Sequence, residues 1–500
     1  MKRSKYIVAL DEGTTSARAV LIDASGKIVG IVQNPFPQYY PRPGWVEHNP
    51  REILSAQLGA LTELLITYNL ETPDIDSIGI ANQRETTVVW NRETGEPVYN
   101  AIVWQCRRTA PIVEALAADP EIAQTVKQKT GLVLDPYFSA SKVKWILDNV
   151  EGARELAEQG KLAFGTIDSW LIWTLTGGRV HATDVTNASR TMLFNIHDMC
   201  WDPWLCELFG VPVNMLPEVR HSSADFGRTS HAGIVSGVPI CGVAGDQQSA
   251  LFGQCCFEAG QAKNTYGTGC FLLMHTGEVA PVSSHGLVTT VAASAPSTRH
   301  PEYALEGSVF MGGAVLQWMR DELGLISNSA ESESVAQSVP DTAGVYLVPA
   351  FTGLGAPYWD AEARGAIYGL TRGTTRAHIV RAGLESLAYQ IYDLVEAMKA
   401  DAGVPLSALN VDGGAAANNF LMQFQSDILS TSLRRPVNPE TTALGAAYLA
   451  GLYTGFWQSL DQLRSLRTGD TVYDPNMDQG ARAQLVAGWH DAVGRTRSSR

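Results

Sequence analysis

The chain has 500 residues, 45% of them hydrophobic and 18% charged, and 51 acidic side chains against 37 basic ones leave a net charge of −14. That length exceeds one ordinary core and predicts at least two domains, and the composition is that of a packed globule rather than a disordered chain. The acidic surplus argues against a nucleic-acid-binding surface, which needs clustered Lys and Arg, but it leaves room for an anionic ligand held by a few local donors. Seven Cys without a CxxC pair read as reduced thiols that fill the core, Cys255 and Cys256 among them. No run approaches a membrane span, and the apolar run after Lys2, Arg3 and Lys5 ends at Asp11, too soon for a signal peptide. The expectation is a cytoplasmic protein without membrane insertion.

The first elements are a strand at Ile7–Leu10 and its partner at Ala17–Ile22, joined by the polar turn Asp11-Glu12-Gly13-Thr14-Thr15-Ser16. Gly13 allows close backbone approach, and Thr14, Thr15 and Ser16 offer hydroxyls and successive N–H groups to an anion. Asp11 is a carboxylate at a strand end, suited to hydrated Mg²⁺. The same turn also fits an ordinary hairpin. A third strand (28–33), a Pro-rich loop through Gly44-Trp45-Val46-Glu47-His48 and a helix from Pro50 follow. A strand at Ile75–Ala81 runs into Asn82-Gln83-Arg84-Glu85-Thr86-Thr87, and another at Ala101–Trp104 ends in Gln105-Cys106-Arg107-Arg108. Ligands gather at such carboxyl ends in α/β sheets, although Arg84 and Glu85 also read as a solvated turn with a surface ion pair. Residues 110–129 are helical in pattern, Gly131–Ser141 is a loop containing Tyr137, and 185–195 is a polar loop.

A buried strand over 238–244 feeds Gly245-Asp246-Gln247-Gln248 and a helix. Asp246 reads there as an N-cap and, compatibly, as a carboxylate poised to orient a hydroxyl and take its proton late. Gly253 and Gly260 bracket the expected boundary between domains 1–255 and 256–500. The opening pattern then returns as Ala262–Thr265, the turn Tyr266-Gly267-Thr268-Gly269 and the strand Cys270–Met274. Two such hairpins, each opening a half, suggest a duplication with a cleft between the copies. Gly312-Gly313 opens a helix through Gln317 and Trp318. A strand over 409–412 ends in Gly413-Gly414, where either a flat ligand or close helix–sheet packing accounts for the glycines.

These motifs resemble the FGGY carbohydrate kinases over about residues 6–450. The first hairpin, the 238–252 strand-to-helix unit and the 410–418 corner match the actin-like ATPase pattern in order. The narrower likeness lies in Gly44–His48, Asn82–Thr87, Asp135-Pro136-Tyr137-Phe138-Ser139, Thr183–Thr191 and Gly245–Gln248, and it points to the glycerol-phosphorylating branch. The resemblance implies an α/β fold of two actin-like ATPase (ribonuclease-H-like) domains with an interdomain cleft. It implies ATP-dependent phosphorylation of glycerol to sn-glycerol 3-phosphate, the first step of glycerol catabolism, with ATP and Mg²⁺ as cofactors. Arg84, Glu85, Tyr137, Asp246 and Gln247 would hold the glycerol hydroxyls, and Trp104 and Phe271 would wall its carbons. Asp246 would be the general base and Asp11 would act near Mg²⁺. Thr14, Thr15, Ser16, Arg18 and Thr268 would contact phosphates, while Gly313, Gln317, Gly414 and Asn418 would line the nucleotide. A homodimer or homotetramer is implied. Another small polyol or ketose as substrate, and an actin-like ATPase that drives protein binding, are the competing readings.

Two departures from the family pattern stand out. Glu12 replaces the usual Gln, and its charge would repel ATP phosphates unless it faces Mg²⁺, a cation or solvent; lower ATP or Mg²⁺ affinity than in a Glu12→Gln variant is expected. The loop 227–237 lacks the Gly-Gly-Thr-Arg run linked to fructose 1,6-bisphosphate inhibition and the His-Phe loop phosphorylated in other members. Its His231 reads as a solvated lone histidine.

Overall fold

Both predicted hairpins form, and each anchors a sheet. In a computed structural model describing residues 5–230, 236–360 and 362–498, β1 (Tyr6–Glu12) pairs antiparallel with β2 (Ser16–Ile22), which pairs antiparallel with β3 (Ile28–Pro35). On its other edge β1 runs parallel to β4 (Ile75–Asn82), and β4 runs parallel to β5 (Ile240–Gly245). The strand order is therefore 3-2-1-4-5. β1 and β4 are buried along almost their whole length, as parallel strands covered on both faces must be. His231 lies outside the described residues.

The second sheet repeats this plan. β6 (Gln261–Tyr266) and β7 (Cys270–Gly277) form the second hairpin, β8 (Val288–Val291) lies at one edge, and β9 (Tyr303–Val309) pairs antiparallel with both β7 and β8. β6 runs parallel to β10 (Ala408–Asp412), which runs parallel to β11 (Leu433–Arg435); β12 (Thr471–Tyr473) closes the far edge. The run 9-7-6-10-11 matches 3-2-1-4-5 in order and in every strand direction.

Seven helices frame the site. α1 (Pro50–Thr67) covers the first sheet, and α2 (Ser139–Asn149) follows the loop carrying Tyr137. α3 (Asp246–Gly253) leaves β5, and α4 (Ala314–Asp321) starts beside the second hairpin. α5 (Arg376–Ala402) and α6 (Asn419–Leu429) build the second core, with Phe424 and Ile428 buried in it and Phe420 packed against it. α7 (Thr441–Thr454) follows the second sheet in sequence but packs on β4, β5 and α3 of the first half. It approaches so closely that a Cβ on Gly79 would stand 2.2 Å from the Ala446 carbonyl oxygen, and one on Gly242 would stand 2.5 Å from the Ala450 nitrogen.

Three local expectations change. The helical pattern over 110–129 is two helices, Ala110–Ala117 and Pro120–Thr130, because Pro120 cannot continue the first and Asp119 caps the second. The predicted strand over 101–104 keeps only Ala101–Ile102, paired with Glu47–His48. Trp104 leaves the ladder to donate its backbone N–H to Thr86 Oγ1 and its indole N–H to Thr14 Oγ1. The polar stretch 185–195 is buried and begins as a short helix, Val185–Ala188.

Candidate active site

The carboxyl ends of β1, β4 and β5 converge, and a cavity of about 160 Å³ opens among them. Its lining comprises Arg84, Glu85, Trp104, Tyr137, Asp246, Gln247 and Phe271, which are the seven residues singled out above, together with Thr14. A volume of this size suits a molecule of a few heavy atoms, well below the usual drug-sized pocket. Trp104 and Tyr137 meet edge to face at 5.5 Å. Thr14 ties the first hairpin to this wall through its bond with the Trp104 indole, at 3.1 Å.

Arg84 and Glu85 are not a solvated turn, since only 3% and 1% of their surfaces are exposed. Burial of two full charges is tolerable only when they are paired and hydrogen-bonded. Arg84 forms a bidentate pair with Glu306 on β9, at 2.5 and 2.9 Å. Arg190 Nε donates to Glu85 Oε1 at 2.6 Å, and Arg190 Nη2 donates to Glu306 at 3.1 Å. Glu85 has a left-handed backbone (φ 61°), and its carbonyl accepts from the Thr87 and Ser139 hydroxyls. Burial works to raise the Glu306 pKa, yet Arg190 and Arg84 hold it down at about 2. Burial pushes Glu85 upward against the same two guanidiniums.

Asp246 is the first residue of α3, and the N-cap is Gly245; the N-cap account therefore fails. The Asp246 side chain is 32% exposed, the most open acid of the cluster. It accepts the Gln247 amide at 3.2 Å and lies 3.2 Å from Arg84 Nε. Lys263, buried on β6, donates to Gln247 Oε1 and, at 2.9 Å, to Thr265 Oγ1. Lys142 on α2 is fully buried and donates to the carbonyls of Pro136, Tyr137 and Phe138, which fixes the loop that carries Tyr137. Its ammonium is pushed down to about 7 by burial.

The remaining predicted residues spread over three corners. Thr14 and Thr15 stand on the first turn, whereas Ser16 is buried in β2 with its hydroxyl accepting from Gln33. Arg18 reaches Glu440 at 2.6 Å and Asp11 at 3.7 Å. Burial pushes Asp11 up to about 6. Thr268 and Gly267 accept backbone N–H groups from Gly312–Ala314, so the second turn sits directly on the start of α4, with Gly313 as N-cap and Gln317 exposed one turn on. Gly413 takes φ 87°, and a Cβ there would strike the Tyr266 carbonyl oxygen at 2.5 Å; a Cβ on Gly414 would meet nothing within 4 Å. Close packing thus explains the first glycine and open space the second. Asn418 caps α6 by accepting from Leu421 N–H.

Glu12 faces neither solvent nor a cationic side chain among the described residues. It is fully buried, and neither of its carboxyl oxygens has a partner among the described residues. Burial, with the neighbouring Asp11 adding to it, pushes its pKa well above the carboxylate range. Burial therefore favours the protonated form, which weakens the expected repulsion of phosphates.

Sequence reasoning missed Glu306, Lys263 and the part played by Arg190. Glu306 and Lys263 each interrupt a strand that is otherwise buried, and a charge in such a strand was the available signal.

Comparison with known proteins adds to this geometry. A family model described as the N-terminal domain of the FGGY family of carbohydrate kinases matches residues 6–253, and one described as its C-terminal domain matches residues 262–453. The chain is 60% identical over 492 residues to a glycerol kinase of Symbiobacterium thermophilum, with 98% of each chain covered. It is 58% identical over 494 residues to one of Carboxydothermus hydrogenoformans, covering 99% of this chain and 98% of that protein. Among solved structures, a glycerol kinase of Plasmodium falciparum with ADP superposes with a TM-score of 0.95 at 38% identity, covering 99% of both chains. A xylulose kinase of Lactobacillus acidophilus (TM-score 0.88, 24% identity, 98% of both chains) shares the fold.

Proposed function

The chain belongs to the FGGY family of carbohydrate kinases, and from that premise we propose how its cleft carries out its reaction, the ATP-dependent phosphorylation of glycerol to sn-glycerol 3-phosphate. The observation that carries the site reading is the small cavity in which the polar pairs Arg84–Glu85 and Asp246–Gln247 face the rings of Trp104, Tyr137 and Phe271. A triol offers little apolar area, so recognition has to come from paired hydrogen bonds that a substrate lacking a hydroxyl leaves unmade. Arg84 would donate to hydroxyls, Glu85 and Asp246 would accept from them, and the aromatic faces would pack the carbons.

Asp246 is our general base. It orients the attacking primary hydroxyl and takes its proton as the bond to the γ-phosphorus forms, with ADP leaving from the opposite side. Its exposure within a cluster of buried charges makes it the acid there most open to a substrate. Thr14, Thr15 and Thr268 would hold phosphate oxygens from the two hairpins, joined by Arg18 once it leaves Glu440. Gly313, Gln317, Gly414 and Asn418 would line the nucleoside. ATP is the phosphoryl donor, and Mg²⁺ bound near Asp11 would neutralise charge on its phosphates. The buried Asp11 carboxylate, with Arg18 no nearer than 3.7 Å, fits a cation that keeps water and phosphate oxygens as its other ligands. A division at residues 255/256 and a cytoplasmic location belong to the same proposal.

Steady-state rates with ATP against glycerol, dihydroxyacetone, erythritol and xylulose provide the test. Glycerol should give the highest kcat/KM, and equal or better use of xylulose would overturn the substrate assignment.

A further inference from the structure

Two long charged side chains can read a small triol in one pose only if they are themselves held in place. Arg84 and Glu85 belong to the first half of the chain, as do Arg190 and Gln248 that bond them, but the carboxylate that forks Arg84 comes from the second half. Glu306 stands in the middle of β9, where Tyr303, Ala304, Leu305 and Val309 are all buried apolar neighbours on the strand. Its two oxygens take Arg84 Nη1 and Nη2 in a fork, which fixes the plane of that guanidinium as well as its position. Arg190 then links Glu306 Oε1 to Glu85 Oε1. The result is a ring of two guanidiniums and two carboxylates, closed by the 3.8 Å approach of Arg84 Nε to Glu85 Oε1, with each member at most 3% exposed.

Stability alone does not account for this ring. Buried ion clusters stabilise folds no better than well-packed apolar groups of the same volume. What the ring supplies is direction. With Nη1 of Arg84 shared between Glu306 and Gln248 and Nη2 spent on Glu306, its Nε is left without a hydrogen-bond acceptor among the described residues, beside the cavity and 3.2 Å from Asp246.

We propose that Glu306 is a positioning residue for polyol recognition: delivered by the second half of the molecule, it acts with Arg190 to set Arg84 and Glu85 in the pose that reads the hydroxyls. The polyol subsite is therefore complete only when β9 is seated against the end of β4. This rests on the reading of Arg84 and Glu85 as hydroxyl-binding residues.

The test compares Glu306→Asp, Glu306→Gln and Arg84→Lys with the native enzyme. It measures KM for glycerol and for ATP, kcat, Tm, and kcat/KM for glycerol against propane-1,2-diol and propane-1,3-diol. Glu306→Asp keeps the charge and withdraws the carboxylate by one methylene, so it should fold even if Glu306→Gln does not. We expect Glu306→Asp to raise the glycerol KM at least tenfold, leave the ATP KM within twofold, and narrow the preference for glycerol over at least one diol at least fivefold. A glycerol KM within twofold of native in Glu306→Asp, while Arg84→Lys raises it tenfold, would overturn the positioning role and leave the Arg84 reading intact. Parallel rises in both KM values, with the diol preference unchanged, would overturn it as well, since that is what loosened packing produces. An unchanged glycerol KM in Arg84→Lys would overturn the underlying reading and this inference with it.

Discussion

Asp246 and Glu12 are acids whose surroundings push them to opposite uses. Asp246 keeps a third of its surface open beside the cavity, so Asp246→Asn should retain nucleotide affinity within about threefold and lose at least about 10³-fold in kcat, the scale expected of a lost general base. Titration calorimetry with ADP and steady-state rates check the two halves of that statement, and a near-native rate would end the role. Glu12 is sealed, has no partner among the described residues, and is shifted by burial toward its protonated form. A carboxyl that keeps its proton has nearly the shape of Gln, so Glu12→Gln should leave the ATP KM within twofold at pH 7, measurable in the same assay. Sequence alone could flag Glu12 as a departure but not its charge state, which depends on what surrounds it in three dimensions. A third acid reports on stability. Asp168 is fully buried, accepts from the Thr166 and Thr183 hydroxyls, and is pushed up to about 7 by burial, with nearby Asp184 adding to it. Between pH 3.8 and about 7 the folded protein holds a proton that the unfolded chain releases, so this contribution is complete at low pH and is lost as pH rises through 7. It amounts to at most about 4 kcal/mol. Native Tm should therefore fall relative to Asp168→Asn between pH 5 and 7.5, and parallel Tm–pH curves would refute the assignment.

Elements built from contiguous sequence were legible, and those defined by what packs on them were not. Both Gly/Thr hairpins follow from short apolar runs flanking a turn, and both form. The Arg84–Glu85 corner divided between a surface ion pair and a ligand site because its deciding partners lie 105 and 222 residues away, on Arg190 and Glu306. The small residues of α7 suit tight packing, yet nothing local says that it crosses back onto the first sheet. Its seat is set by backbone-to-backbone contact over Gly79 and Gly242. Gly79→Ala would place a methyl 2.2 Å from the Ala446 carbonyl oxygen, where no flexible side chain can yield. Overpacking of that kind costs typically about 1–3 kcal/mol. Because α7 also touches α3, which begins at Asp246, the substitution should lower both Tm and kcat. Native values of both would show that the helix shifts freely.

Across the whole molecule, the repeated strand order places a phosphate-sized hairpin at the centre of each sheet, which is why one half of the sequence could be used to read the other. The two halves meet through charge as well as packing: Glu306 joins Arg84 and Arg190 in a dry setting, while Arg18 on β2 pairs with Glu440 just before α7 in a wetter one, with side chains 33% and 25% exposed. The second pair is the one a ligand can break. Exposed pairs contribute about 0–1 kcal/mol and weaken in salt, whereas a guanidinium on a phosphate forms a stronger charge-assisted contact. Arg18 should then move from Glu440 to phosphate when ATP binds, and part of its affinity is spent on leaving Glu440. Glu440→Gln removes that competition without emptying the position. We expect its ATP KM to fall about two- to fivefold at low ionic strength, converging on the native value in high salt, with the glycerol KM unchanged. A higher ATP KM at every salt concentration would mean that Glu440 helps to hold the nucleotide site together rather than competing for Arg18.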